Sequence, residues 1–133
     1  MTISPTAPRV LAMLMADSVF YDPEVNKYFV LGTYNKIRSF RFPAVHEKMA
    51  IYLAVDYIRS ETVLTLRLID ADELRPPIFE GLMPFKSSGP NEVIEIAFRL
   101  PIQPKFELPG DYLAEILVDD SVIYTRRFSV VAS

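Results

Sequence analysis

The sequence predicts an all-β fold, a two-layer antiparallel β-sandwich of about seven to nine strands. Three observations predict it. First, Met49-Ile51-Leu53-Val55, Leu64-Leu66-Leu68 and Ile94-Ile96-Phe98-Leu100 each place apolar residues at every second position, the period of a strand. Second, the eleven prolines fall mainly at the ends of such runs, where a residue without an N–H belongs. Third, no helical apolar period lasts beyond a turn or two.

Taken in order, Met1 to Pro8 carries Ser4, Pro5, Thr6 and Pro8 and reads as a flexible N-terminal tail. Residues 9–133 then read as a single sandwich domain. Val10 to Ala16, VLAMLMA, is the first strand. Strict alternation puts Val10, Ala12, Leu14 and Ala16 on one face and Leu11, Met13 and Met15 on the other. Both faces are apolar, so both need a cover. The Phe85–Asn91 loop, the Pro101–Pro109 loop or a second chain is expected to supply it. The run is too short to cross a bilayer, which takes about 20 residues. With Arg9 alone before it and Asp17 directly after, it does not read as a signal peptide.

Asp17 to Lys27 holds the turn formers Asp22-Pro23-Glu24 and Asn26. Tyr28 to Val55 reads as two central strands and the corner between them. Gly32 inside the first marks a bulge or a close backbone approach, Phe42-Pro43 ends it, and the second starts near Glu47. Thr62 to Ile69 is the next strand, followed by the loop Asp70 to Pro77. Ile78 to Met83 is a short strand held to a sheet edge by its flanking prolines. Phe85 to Asn91 is a loop, Glu92 to Leu100 a strand, and Pro109-Gly110 a turn. Tyr112 to Val118 and Val122 to Val131 form a hairpin closed by the three-residue turn Asp119-Asp120-Ser121.

Composition narrows the function. With 133 residues the chain buries a core without staples. A net charge of −3 gives no general attraction for nucleic acid or for an anionic membrane, and no segment reads as inserting into one. The chain has no cysteine, which excludes disulfides and thiolate metal sites and suits a cytoplasmic protein. Half the residues are hydrophobic and the mean hydropathy is +0.19, which implies a large core or a face covered by another chain.

Two stretches resemble known families. Leu108-Pro109-Gly110-Asp111-Tyr112, the following strand, the turn at Asp119-Asp120 and Val122 to Val130 resemble the last hairpin of immunoglobulin-like and fibronectin-like domains. That resemblance implies that the Tyr112 hydroxyl bonds back to the backbone. Gly32-Thr33-Tyr34-Asn35-Lys36-Ile37, Phe42-Pro43-Ala44-Val45-His46 and Leu66-Arg67-Leu68-Ile69-Asp70 together resemble a family of small uncharacterised bacterial β-sandwich proteins. That family has no assigned function, so the resemblance implies no active site.

Few residues suggest chemistry. His46 is the only histidine. It fits a general base oriented by a carboxylate, or a corner residue whose ring bonds a backbone carbonyl. No activated nucleophile accompanies it: Ser87-Ser88 lacks the G-x-S-x-G elbow, so the chain does not read as an enzyme. Loop parity places Asp17, Asp22 and Glu24 at the same end as Asp119 and Asp120, with Asp70, Asp72 and Glu73 at the other. A calcium site there would need Asp17, Asp22, Asp119 and Asp120 to converge, whereas solvated turns explain the same acids. Lys36 and Arg38, with Arg41 and Lys48 close in sequence, read as a solvated face rather than a phosphate site. The leading expectation is a non-enzymatic module, without cofactor, that binds a protein partner or a second copy. The residues expected at that interface are Leu11, Met13, Met15, Tyr52 and Tyr57. The alternative is a small-ligand or calcium-binding sandwich that uses the acidic loops.

Overall fold

The structure is a computed structural model and describes residues 8–133. The described residues form eleven strands and no helix. They are β1 (Arg9–Asp22), β2 (Lys27–Thr33), β3 (Lys36–Ser39), β4 (Ala44–Val45), β5 (Ala50–Asp56), β6 (Glu61–Asp70), β7 (Phe79–Lys86), β8 (Ile94–Arg99), β9 (Lys105–Phe106), β10 (Gly110–Val118) and β11 (Ser121–Ala132). One sheet runs β2-β1-β5-β8, a second β3-β11-β10-β6-β7, and β4 pairs with β9. The expected tail lies outside the described residues except for Pro8, which is buried rather than loose.

Period-two runs build the core as expected. Ile51, Leu53 and Val55 on β5, with Leu64, Leu66 and Leu68 on β6, have no exposed surface. They join Tyr112, Ala114 and Ile116 of β10 and Phe128 and Val130 of β11 in one hydrophobic cluster. Both main sheets therefore feed the same core, and each fully buried Leu or Ile contributes about 1.5–3 kcal/mol. Ile94, Ile96 and Phe98 are only half-buried because β8 ends its sheet. The edge position expected for Ile78 to Met83 is that of β7, which contains Pro84.

Four features differ from the expectation. The first strand continues to Asp22, so Asp17 to Asp22 is ladder rather than turn. Its two faces do not alternate strictly, because the register with β5 shifts between Val10 and Ala12. Leu11 is the extra residue of this bulge, which puts Val10, Met13 and Met15 together on the core side. Tyr28 to Phe40 is two strands, β2 in one sheet and β3 in the other, with the crossing between Gly32 and Asn35. Finally, β3 runs parallel to β11, so the sheets are not wholly antiparallel.

Gly32 makes the crossing possible. Its φ is +72°, and a Cβ there would lie 2.8 Å from the Asp17 carboxylate. Beyond it the β1–β2 hairpin folds back over the outer face of its own sheet. The Tyr28 ring meets the Tyr52 ring at 6.1 Å, and Ser18 and Val19 line one cleft with Ala50 and Arg99. The outward-facing Ala50 and Ala54 of β5 are consequently buried. The cover that the apolar first strand needs thus comes from its own hairpin, not from the Phe85–Asn91 or Pro101–Pro109 loop. Where β2 has diverged, the Arg126 guanidinium donates to the Met13 carbonyl (3.3 Å) and closes that part of the β1 edge.

Two measurements check this description. Gly32→Ala is expected to cost about 1–2 kcal/mol, because a residue with a Cβ is strained at positive φ. Gly89→Ala, with nothing within 4 Å of the added carbon, should change urea stability far less. The Tyr112 hydroxyl donates to the Leu108 carbonyl, as the hairpin resemblance implies. Tyr112→Phe should therefore lower stability by about 0.5–1.5 kcal/mol. A loss within error in chemical denaturation would mean the bond adds nothing over water.

Candidate interaction surface

The β1–β2 hairpin is held by its turn and by one face. The Asp22 carboxylate accepts from the Glu24 N–H (2.9 Å), and Asn26 adopts a φ of +54°. An Asx turn and a left-handed Asn are the chemistry such a turn calls for. The Tyr21 hydroxyl donates to the Asn26 side chain (2.7 Å) and its ring tilts against Tyr28 (5.1 Å). The Tyr28 hydroxyl donates to the Glu95 carbonyl on β8 (2.8 Å), and the Tyr52 hydroxyl donates to the Glu95 carboxylate. Burial, reinforced by Glu95, pushes the Tyr52 phenol up to about 12, so it stays a donor.

The other face of the hairpin looks into solvent. Phe20 opposes Phe29 across the ladder, and their rings stack at 5.4 Å. Leu31 opposes Ser18 on the same side. Phe20, Phe29 and Leu31 are 42%, 38% and 52% exposed, so stacking leaves much of the apolar surface wet. A contiguous ridge of this kind, unlike a lone exposed Leu, marks an interaction surface.

The residues singled out from the sequence fare differently. Met13 and Met15 are buried in the core and cannot form an interface. Alternation assigned them to the face opposite Val10 because it could not see the bulge at Leu11, which is exposed. Tyr52 is half-buried beneath Tyr28. Tyr57 lies under the Arg9 guanidinium at 4.5 Å, while Arg9 also pairs with Asp56 at 2.7 Å. Phe20 was missed because Asp17 to Lys27 reads as loop, and Phe29 and Leu31 because their strand reads as a central one. Their signal is that Phe20 and Phe29 lie symmetrically about the turn at residues 23–26.

The acidic residues are not gathered. β5 and β6 meet through residues 57–60, and Arg9 opposes Asp56, so β1 starts at that end of the molecule. Leu117 opposes Thr65, which brings Asp119 and Asp120 to the same end. Ala16 opposes Ala50, so Asp17 lies at the far end. Loop parity failed because the hairpin is a there-and-back excursion, after which β3 runs in the same direction as the first half of β1. Among the described residues no three His, Cys, Asp or Glu side chains could hold one metal ion. Asp119 and Asp120, with φ of +49° and +66°, instead form a two-residue type I′ turn, one residue shorter than expected.

His46 packs edge-on against Tyr34 (5.1 Å), beside the Lys48 carbonyl that accepts from the Tyr34 hydroxyl (3.1 Å). It shares a cleft of about 290 Å³ with Asp17, Lys36 and Arg38. Its Nε2 is buried with no hydrogen-bond partner among the described residues, and Asp17 and Glu47 act on it only through space. A larger cleft of about 410 Å³, lined by Tyr57 to Ser60 and Ser87 to Pro90, lies at the opposite end. Ser87 there already donates to the Gly89 carbonyl (2.5 Å).

Burial holds the His46 pKa below its ordinary 6.5, against the Lys48 carbonyl and the two carboxylates that raise it. The unfolded chain therefore binds this proton more tightly than the folded one. The contribution is fully present above pH 6.5 and is lost as pH falls toward the lowered folded value. Thermal melts across this range should show falling stability for the natural protein and a flatter profile for His46→Gln.

No curated protein matches the chain. The profile of a family of unknown function, DUF6941, matches residues 11–131, nearly the whole chain, and the chain belongs to that family.

Proposed function

We propose that this protein is a non-enzymatic, cytoplasmic protein-interaction module built on an immunoglobulin-like sandwich. One observation carries the reading: the solvent-facing ridge of Phe20, Phe29 and Leu31 sits on a hairpin whose other face is tied down by Tyr28 and Tyr52. A pre-ordered apolar ridge binds without first being immobilised, which removes part of the cost of association. Aromatic residues are the side chains that most often anchor such contacts.

The sheet orders support the immunoglobulin-like part of the reading. β11-β10-β6-β7 follows the order G-F-C-C′, β1-β5-β8 follows A-B-E, and Tyr112 stands near the start of β10. The β1–β2 hairpin is then an insertion after the first strand. The non-enzymatic part is supported by the surroundings of His46, which has no hydrogen-bonded carboxylate to orient it.

The test is gel filtration of native extract. The protein should elute above the mass of one chain, and a Phe20→Ser/Phe29→Ser variant with unchanged circular dichroism should elute as one chain. Losing two central aromatic anchors should weaken binding by at least about 2 kcal/mol. A natural protein that elutes as one chain in extract removes the interaction reading.

A further inference from the structure

Four strands end the two main sheets: β2 and β8 in one, β3 and β7 in the other. An end strand offers unpaired N–H and C=O groups to any other strand, and natural sheets protect such edges with charge, proline or a cap. β7 carries Pro84 together with exposed Glu80 and Lys86. β3 carries exposed Lys36 and Arg38. β8 carries exposed Glu95 and Arg99, and the Tyr28 hydroxyl occupies its Glu95 carbonyl. β2 carries such a charge only at its first residue, Lys27: Tyr28 to Thr33 has neither a charge nor a proline.

The free groups of β2 can be assigned. Asp22 opposes Lys27 and Pro23 has no N–H, so Lys27 and Asp22 bond each other directly; the ladder keeps that phase through Phe29 and Leu31 and is interrupted at Gly32, where no pair joins it to Asp17. Antiparallel hydrogen bonding alternates, so Tyr28 and Val30 turn their backbone groups to the open side. The free backbone groups of Tyr28 and Val30 therefore alternate with Phe29 and Leu31, which carry the exposed apolar ridge.

We propose that β2 pairs antiparallel with β2 of a second copy of this chain, across a two-fold axis at Val30. This rests on the interaction reading above and names its occupant. An occupant of this edge must be an extended strand, apolar on the ridge side and uncharged opposite Phe29 and Leu31. β2 meets those requirements itself. In this register Lys27 faces Thr33 of the second copy, so no like charges meet. Phe29 faces Leu31 of the second copy, and Phe20 stands beside Phe29 on β1. The two ridges join into one apolar surface, and two four-stranded sheets become one of twice the width. A two-fold, self-complementary contact of this kind closes on itself and does not propagate.

Sedimentation of the full chain from low to high micromolar concentration tests the proposal. The natural protein should show a concentration-dependent dimer. Val30→Pro removes an outward N–H and leaves the ladder to β1 intact; it should weaken association at least tenfold with unchanged circular dichroism. Val30→Cys gives a chain with a single thiol, placed opposite its copy in a hydrogen-bonded pair whose Cα separation of about 5.5 Å suits a disulfide. It should oxidise to a covalent dimer far faster than Glu80→Cys on β7. A single-chain mass at every concentration, undiminished association of Val30→Pro, or equal cross-linking of the two cysteine variants overturns the pairing. A protein that is monomeric when pure but elutes larger in extract, and smaller with Phe20→Ser/Phe29→Ser, also overturns it. That last result leaves the interaction reading standing with a foreign occupant.

Discussion

Both faces of β1 must leave water, and much of the architecture follows from that requirement. Met13 and Met15 enter the core shared by the two main sheets, while Ala12, Leu14 and Ala16 face away from it. A strand of one sheet can be covered on its second face only by something folded over it. This chain uses the continuation of the same strand. Past Ala16 it turns back with β2 beside it, and Tyr28 comes to rest on Tyr52. Having returned, the chain stands at the edge of the other sheet, and β3 joins β11 in parallel.

The charged groups of the interior obey a similar economy. Asp56, Asp70 and Glu115 are the buried acids, and each meets an arginine: Arg9 at 2.7 Å, Arg75 at 3.4 Å and Arg67 at 2.9 Å. Burying a carboxylate is unfavourable unless it is paired, so these contacts offset a desolvation cost rather than add net stability. Asp56 shows the effect most clearly: hydrogen bonding from Arg9 holds its carboxyl below the ordinary range despite burial. The same Arg9 covers Tyr57, which ties the start of β1 to the end of β5.

Much of the fold was legible because it depends on local patterns. Leu64, Leu66 and Leu68 alternate and are buried; Gly32 interrupts a strand and is the site of close approach; Pro84 keeps β7 at an edge. The bulge at Leu11 was not legible, because no residue type there requires it and only the register with β5 reveals it. That single extra residue moved Met13 and Met15 from candidate interface to core. The hairpin was hidden for a related reason. Asp22, Pro23, Glu24 and Asn26 are strong turn formers, and they draw attention from the strand that precedes them. The acidic residues misled because loop parity counts strands and cannot detect an excursion that leaves and returns.

The pairing of Tyr21 with Tyr28 and of Phe20 with Phe29 has a consequence for how the hairpin tolerates insertion and deletion. Neighbouring pairs point to opposite sides, so a shift of one residue exchanges the two sides wholesale. A chain one residue shorter in the turn, repaired by a slipped register, would turn phenylalanine toward Tyr52 and Glu95 and leave tyrosine in water. The Glu95 carbonyl would lose its hydroxyl donor, and the apolar ridge would vanish from the surface. Length changes in this turn therefore have to preserve the phase of the ladder, and lineages that vary here should do so by two residues at a time.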